Sequence, residues 1–499
     1  MSRRGRRSDR AGRKGAGAAV EPPAPVAEAG PAPAGRSRPP GQRLFDMPYS
    51  AVAPRLVHPD LGLHNLVSRA GHNAAYTIDV TLLDAPDHRL IRSGVLLAHR
   101  VLDGRGEWYL TAPDWEPLLP RDRIELMGHS DLPDELADLI RPLRRRAALG
   151  PVAALTCDRR EFALRDAEGE TLALLRDDKV TVRRGGLTTA RYREVVVTPV
   201  GRGLDEDQTA WLERALTGVG STVVTRFPRL VARLGAPATG PSDVPEVDPP
   251  APDASFKRFL GQLLGRRLRA LVEADLAVRG GDPDAPARVR AAAAVLAAEL
   301  DGLRVGVDAD WLPDLADELG WLVGPDDDPA ERVVARLRSQ RHLALLDGLV
   351  GTARAPRLGE RGAAPAAAEL DRLLTTAVDD LAAAVGAAGV DGPASAWADV
   401  AVRLRRLEAL AALAAPVLPA RSAEVLRRLR KPRRRLDAVC AGPVDEQAAL
   451  TAAAALDPAA AFAAGRAWER QVGESRRARE AFRTAAARST GRLRERTGR

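Results

Sequence analysis

The stretch ADVAVRLRRLEALAALAAPVL, residues 398–418, decides how the second half of the chain is read. Its apolar residues recur at three- and four-residue spacing, the period of one face of an α-helix, and the run closes at Pro416. A basic stripe accompanies the apolar one through Arg403, Arg405 and Arg406, but Ala401, Val402 and Glu408 interrupt it. The helix therefore presents a broken basic stripe beside its apolar one.

Working outward, the same texture begins at Phe256 and is broken at Gly280-Gly281, Pro325, residues 351–356, Gly392-Pro393, Pro419 and Gly442-Pro443. These breaks predict a bundle of several helices. Two stretches, DPDAPARVRAAAAVLAAEL (residues 282–300) and ASAWADVAVRLRRLEALAAL (residues 394–413), each set an Arg-bearing strip beside an Ala/Leu strip after a turn. That pairing predicts an internal duplication.

Upstream lies a Pro-rich stretch, GAPATGPSDVPEVDPPAPDAS (residues 235–255), and before it the texture changes. The runs AYTIDVTLL, GVLLAHRVL, EWYLTAP, VAALTCDRREFAL, LALLRDDKVTVRR and YREVVVTPV are rich in β-formers and separated by turn signals such as DGRG and DAEG. They predict a mostly antiparallel sheet, with helices over DLPDELADLIRPLRRR and DEDQTAWLERALTGV.

The whole chain has 499 residues, 45% hydrophobic but only 4% aromatic, so its cores must be built from Ala, Leu and Val. The length suits two domains. The net charge of +8 is misleading as a field: residues 1–43 hold ten Lys/Arg against three Asp/Glu, and residues 466–499 hold eleven against four. Each end is thus +7 and the body between them −6, a balance that does not draw polyanions through its overall field.

Cys157 and Cys440 show no metal or redox spacing and read as isolated small hydrophobes. No pair among His58, His64, His72, His88, His99, His129 and His342 has metal-ligand helical spacing, and most read as surface or loop residues. Asp326, Asp327 and Asp328 read as an acidic capping turn ahead of PAERVVARLRSQ. No apolar run approaches the roughly 20 residues of a bilayer-spanning helix, and a cytoplasmic location is expected.

The segment LLDAPDHRLIRSGVLLAHR (residues 82–100), followed by WYLTAP, the Arg-x-Glu of Arg123 and Glu125, LRDDKV and YREVVV, resembles the CYTH domain of triphosphate tunnel enzymes. The duplicated helices, with LRRLRKPRRRLDAV and AFAAGRAWERQVGESRRAREAF after them, resemble the CHAD domain, a helical duplication that binds polyphosphate. The resemblance implies an α+β chain: a CYTH-like antiparallel β-barrel or tunnel, then an all-α CHAD-like duplicated helical bundle. Expected boundaries are a disordered basic tail at 1–43, the CYTH-like domain at 44–236, a Pro-rich linker at 237–254, the CHAD-like domain at 255–486 and a basic tail at 487–499.

The departures from both patterns carry the functional expectation. The tunnel family's opening Glu-x-Glu-x-Lys strand has no counterpart in residues 44–60, Ala98 stands at its first strand Arg, Thr111 at its Lys, and Val196 and Thr198 at two of its late carboxylates. In the helices the family's histidines are Ala287 and Ala398, and basic positions are Ala294, Val295, Ala297, Ala401 and Glu408.

The resemblance therefore implies a non-catalytic polyphosphate- or phosphate-related binding or scaffold protein. Its anion contacts would be Arg290, Arg403, Arg405, Arg406, Arg427 and Arg428, and its binding of inorganic polyphosphate weak. No cofactor is expected under this reading. A first alternative is a metal-dependent inorganic triphosphatase using Arg100, Arg123 and Arg193, with Glu125 and Glu194 on Mg²⁺ or Mn²⁺. The second is an interaction module with no phosphate ligand. Nucleic acid is expected only at the basic tails.

Overall fold

The computed structural model describes residues 39–69, 75–102, 104–126, 131–251, 253–440 and 446–495. The expectation for residues 1–38, and that for residues 496–499, lies outside them. Ten strands precede the helical region: β1 (Arg43–Met47), β2 (Asn65–Ser68), β3 (Ala75–Asp84), β4 (Leu96–Leu102), β5 (Arg105–Thr111), β6 (Asp122–Leu126), β7 (Gly150–Arg165), β8 (Thr171–Arg184), β9 (Leu187–Pro199) and β10 (Thr222–Val224). All pair antiparallel, in the order β10-β1-β9-β8-β7-β3-β4-β5-β6, with β2 added to β7. The expected barrel is not closed by hydrogen bonds: β10 and β6 are the two ends of the sheet among the described residues.

Five short helices accompany the sheet: α1 (Arg89–Arg92), α2 (Asp134–Leu139), α3 (Arg141–Arg144), α4 (Glu206–Thr217) and α5 (Leu230–Leu234). The alternation of side chains along each strand gives the sheet two differently used faces. One buries Ile78, Val80, Leu155, Val180 and Tyr192 beneath Leu234 of α5 and Ala238. The reverse face buries Phe45, Val195 and Val197 under Leu212 and Leu216 of α4. Further along the reverse face, Leu97, Trp108 and Leu110 join the core of the helical region.

Ten helices follow: α6 (Phe256–Arg279), α7 (Ala285–Leu303), α8 (Trp311–Val323), α9 (Ala330–Leu337), α10 (Gln340–Arg354), α11 (Ala366–Ala388), α12 (Ala394–Ala414), α13 (Pro419–Cys440), α14 (Glu446–Ala453) and α15 (Pro458–Glu495). In each set of five the fourth helix has eight residues, so the order repeats. None is long and apolar enough to cross a membrane among the described residues.

Several expectations change on contact with the structure. Residues 44–60 do contain a strand, β1, which lies between β9 and β10 without the Glu-x-Glu alternation. α13 runs on through Pro432. Proline has no N–H to offer the carbonyl four residues back, and the Ser489 hydroxyl donates to that carbonyl, on Arg428, at 3.0 Å. α15 extends into the stretch expected as a basic tail, because Ser489, Thr490 and Leu493 continue the buried stripe of Phe482 and Ala486. His342 and His88 are buried. Asp328 does not cap α9 through its side chain; it takes Arg332 at 2.9 Å and also Arg336.

The Pro-rich connection at 237–254 is packed down as well. Asp243, 2% exposed at its side chain, receives Arg92 at 2.8 Å and also Arg145 and Arg354. Arg145 reaches on to Asp347 of α10 at 2.7 Å, which also takes Arg146 at 2.9 Å. Arg145 has a φ of 58°, a left-handed conformation that costs a residue with a Cβ free energy, and its two buried ion pairs hold it there. Asp243→Ala should take the shared carboxylate from Arg92, Arg145 and Arg354, leaving Arg145 with Asp347 alone, and cost about 3 kcal/mol. Urea unfolding of the full chain measures it; an unchanged midpoint would contradict this account.

Candidate functional site

The strongest cluster of buried charge lies on the α5-covered face, where one row crosses five strands. Asp46 of β1, Glu194 of β9, Asp178 of β8, Arg159 of β7 and Tyr76 of β3 are successive cross-strand partners, so all five share this face. Arg159 donates to both oxygens of Asp178, from Nε at 2.7 Å and from Nη2 at 2.9 Å, and from Nη1 to the Tyr76 hydroxyl at 3.2 Å. Arg176 approaches the same carboxylate at 3.2 Å.

α5 completes the cluster from above. Its Arg233 guanidinium lies over the Tyr192 ring, 4.4 Å from the centroid, and reaches Asp46 at 3.3 Å and Glu194 at 3.7 Å. Glu194 is fully buried, and neither of its oxygens makes a hydrogen bond among the described residues. Burial pushes its carboxyl up to about 8, with Asp178 and Asp46 adding to the rise and Arg233 and Arg176 opposing it. At neutral pH Glu194 is therefore mostly an uncharged acid.

The residues expected to form a tunnel do not converge. Following the pairs Val80 with Arg100 and Arg100 with Glu107 places Arg100 on the same face as Glu194. There it is ion-paired to Glu107 and stacked on Tyr109, 4.4 Å from the ring centroid. Arg123 and Glu125 pair with Leu110 and Trp108, so they lie on the reverse face, 2.5 Å from one another. Arg193 also points to the reverse face, donating twice to Asp177 at 2.7 and 2.6 Å and to the Ala51 carbonyl at 2.7 Å. Glu125 and Glu194 thus sit on opposite sides of one sheet.

This donor set does not fit Mg²⁺ or Mn²⁺. Such ions need several converging charged oxygens, whereas both oxygens of Asp178 are held by Arg159 and Glu125 lies on the opposite face from Glu194. No three His, Cys, Asp or Glu side chains come together as metal ligands among the described residues. Cys157 lies in the apolar part of the same face, its thiol pushed up to about 12 by burial.

In the helical region most of the expected anion contacts are engaged within the fold. Arg290 donates to the carbonyls of Asp328, at 3.0 Å, and Pro325. Arg403 pairs with Asp399 at 2.8 Å, and Arg406 grips Asp301 with two bonds of 2.8 and 2.9 Å. Arg427 and Arg428 share Glu424. Arg405 is exposed and forms no ion pair among the described residues; it and Arg433, at 3.5 Å, act on Glu408. Arg430, Lys431 and Arg434 of α13 are exposed beside it in sequence order.

Sequence reasoning missed Asp46, Asp178, Arg159, Arg176 and Arg233. The available signal was the two-residue period of β8, which sends Asp177 and Asp178 to opposite faces and gives each its own arginine.

Comparison with known proteins places little beyond this. No family model matches. Two Mycobacterium tuberculosis proteins, MT2285 and Rv2226, both described as uncharacterized, are 26% identical over 264 residues, which is 50% of this chain and 49% of theirs. The chain spans about half the length of the curated relatives it matches. Among solved structures, the candidate adenylate cyclase bh2851 of Bacillus halodurans is similar over 32% of this chain and 90% of its own, at 13% identity and a TM-score of 0.20. PH1819 of Pyrococcus horikoshii covers 38% of this chain and 93% of its own, at 13% identity and a TM-score of 0.18.

The raised Glu194 carboxyl fixes the sign of a stability test. Between the ordinary value of 4.5 and about 8 the folded chain holds a proton that the unfolded chain has lost, so stability falls as pH rises through that window. The slope is at most about 1.4 kcal/mol per pH unit. Glu194→Gln, neutral at every pH, should remove it; urea midpoints at several pH values with equal slopes in both proteins would count against the assignment.

Proposed function

We propose that this protein is a non-catalytic binding protein of CYTH-like and CHAD-like construction, which holds phosphate polymers on the exposed basic surface of α12 and α13. The observation that carries this reading is that the arginines of the sheet's α5-covered face already hold carboxylates, Arg176 sharing Asp178 with Arg159. Arg100 is matched by Glu107, Arg159 by Asp178 and Arg233 by Asp46, while Glu194 is uncharged. A triphosphate brings several negative charges and needs surplus cations to replace its hydration. Here the buried arginines already have carboxylate partners, and α5 lies over the cluster.

Outside, Arg405, Arg430, Lys431, Arg433 and Arg434 are exposed to solvent, and Arg433 reaches Glu408 at 3.5 Å. A flexible polyanion binds such a patch through several exchangeable contacts, with counterion release as the driving force. The triphosphatase reading has one observation in its favour: Glu194 is a proton-bearing carboxyl in a buried polar cluster, the kind of group that serves as a general acid.

Two measurements separate the readings. Long-chain polyphosphate should be retained with an affinity that falls steeply between two salt concentrations, and Arg405→Ala with Arg434→Ala should reduce the salt slope by about 1 for each contact removed. Tripolyphosphate with Mg²⁺ or Mn²⁺ should release no phosphate above the blank. Release that disappears in Glu194→Gln would establish the catalytic reading instead.

A further inference from the structure

The helical region is built twice, and its two copies present the same face differently. α6 and α11 start on a shared two-bond bridge: the Phe256 N–H donates to the Ala364 carbonyl at 2.8 Å and the Ala366 N–H to the Ala254 carbonyl at 2.9 Å. Setting Ser255 against Pro365 superposes Leu260, Leu263, Leu264 and Leu271 on Leu370, Leu373, Leu374 and Leu381, all buried. The last helices match in the same way. His342, Leu345, Leu346, Leu349 and Val350 of α10 fall on Phe482, Ala485, Ala486, Ser489 and Thr490 of α15, again all buried. In this register Arg354 corresponds to Arg494 and Asp347 to Ala487.

In the first copy the face formed by α6 and α10 is occupied by the chain itself. Arg354 holds Asp243, Asp347 holds Arg145 and Arg146, and Val247 lies so close to Gly265 that a Cβ there would meet it at 3.1 Å. The occupant is the extended acidic segment SDVPEVD, residues 242–248, together with α3 and the residues after it.

In the second copy none of the described residues covers the corresponding face. α11 and α15 leave a groove of about 430 Å³ whose walls include Ala382, Gly386, Ala487, Gly491, Arg483 and Arg494. Ala382 and Gly386 stand where α6 has the buried Val272 and Leu276, so the floor is lowered by the loss of side chain. The groove's cations have local carboxylates: Arg494 meets Asp379 at 2.7 Å and Arg483 meets Glu480 at 3.5 Å. Arg494 is 43% exposed, close to the 45% that Arg354 keeps while it holds Asp243.

We propose that the α11–α15 groove docks an extended acidic segment of a partner protein. One of its carboxylates pairs with Arg494 and Arg483, and small apolar side chains fill the floor above Ala382 and Gly386. Charge selects the partner, since Arg483 and Arg494 line the groove and α15 carries the exposed Arg488 and Arg492 as well, and the chain's own residues 242–248 supply the example of such a ligand on the equivalent face. The proposal does not depend on phosphate binding at α12 and α13.

The test uses the full chain and a fluorescein-labelled peptide of residues 240–250, GPSDVPEVDPP, followed by anisotropy. Binding should be saturable, weakened about tenfold or more by Arg494→Glu and by Ala487→Trp, and unchanged by Arg434→Glu on α13; tenfold corresponds to about 1.4 kcal/mol. Ala487 is exposed, so its tryptophan fills the groove without touching the core and decides alone if Arg494→Glu lowers the melting temperature. The proposal is overturned by the absence of saturable binding or by an equal loss in Arg434→Glu. A dimer in sedimentation that Ala487→Trp disperses would overturn it too, by giving the groove to a second copy of the chain.

Discussion

A charge taken out of water must be matched or removed, and most of this structure's decisions follow from that constraint. The cost of an uncompensated buried ion is several kcal/mol even after relaxation. Asp243 meets it with three arginines, Asp178 with two, and Asp275 with Arg279 at 2.9 Å and the buried His342 at 2.9 Å. Glu194 meets it by staying protonated. Because the partners of Asp243 come from α1, from the residues after α3 and from α10, the same matching that makes burial tolerable also ties the sheet to the helices. The apolar core is continuous across that junction, from Trp108 and Trp115 to Phe256 and Leu260, so the ionic cluster orients an interface that hydrophobic burial stabilises.

The constraint also bears on what the covered face of the sheet can accept. An arginine that binds phosphate must be held in place yet left without a carboxylate. Arg159 and Arg193 are held, but by carboxylates one strand away, Asp178 and Asp177. Once such a pair forms inside, an incoming phosphate would have to displace a bidentate partner whose own charge would then be stranded. The exposed arginines of α13 face no such barrier, because water compensates whatever they release.

What the sequence made legible was whatever depends on local period. The helix α12, the strands β3, β4, β5, β7, β8 and β9, and the change of texture near residue 255 all follow from spacing and turn chemistry. β1, β6 and β10 escaped because they are three to five residues long, too short to establish a period. Neighbouring residues on a strand point to opposite faces, so Arg193 and Glu194 could never have shared one site; treating the motif as a linear string concealed this. The burial of Asp243 was not legible at all. Its Pro-rich surroundings have the composition of a free tether, and its partners lie 98, 111 and 151 residues away.

Duplication sharpens the same lesson, because helices with matching buried positions in the two halves carry unequal surfaces. α10 and α15 bury matching positions, yet Asp347, which binds two arginines of the sheet region, corresponds to Ala487, which binds none. The internal register is kept by packing: Leu346 or Ala486 must fit the neighbouring helix whichever face is outward. The outer face has no such obligation and changes with what covers it. In the first copy it has acquired the charges that seat residues 242–248. In the second it has kept Arg494 while its floor shrank to Ala382 and Gly386. A face that only met water would gain nothing from such a floor, since small residues there deepen a groove without improving solvation; the shape is better accounted for by something seated in it.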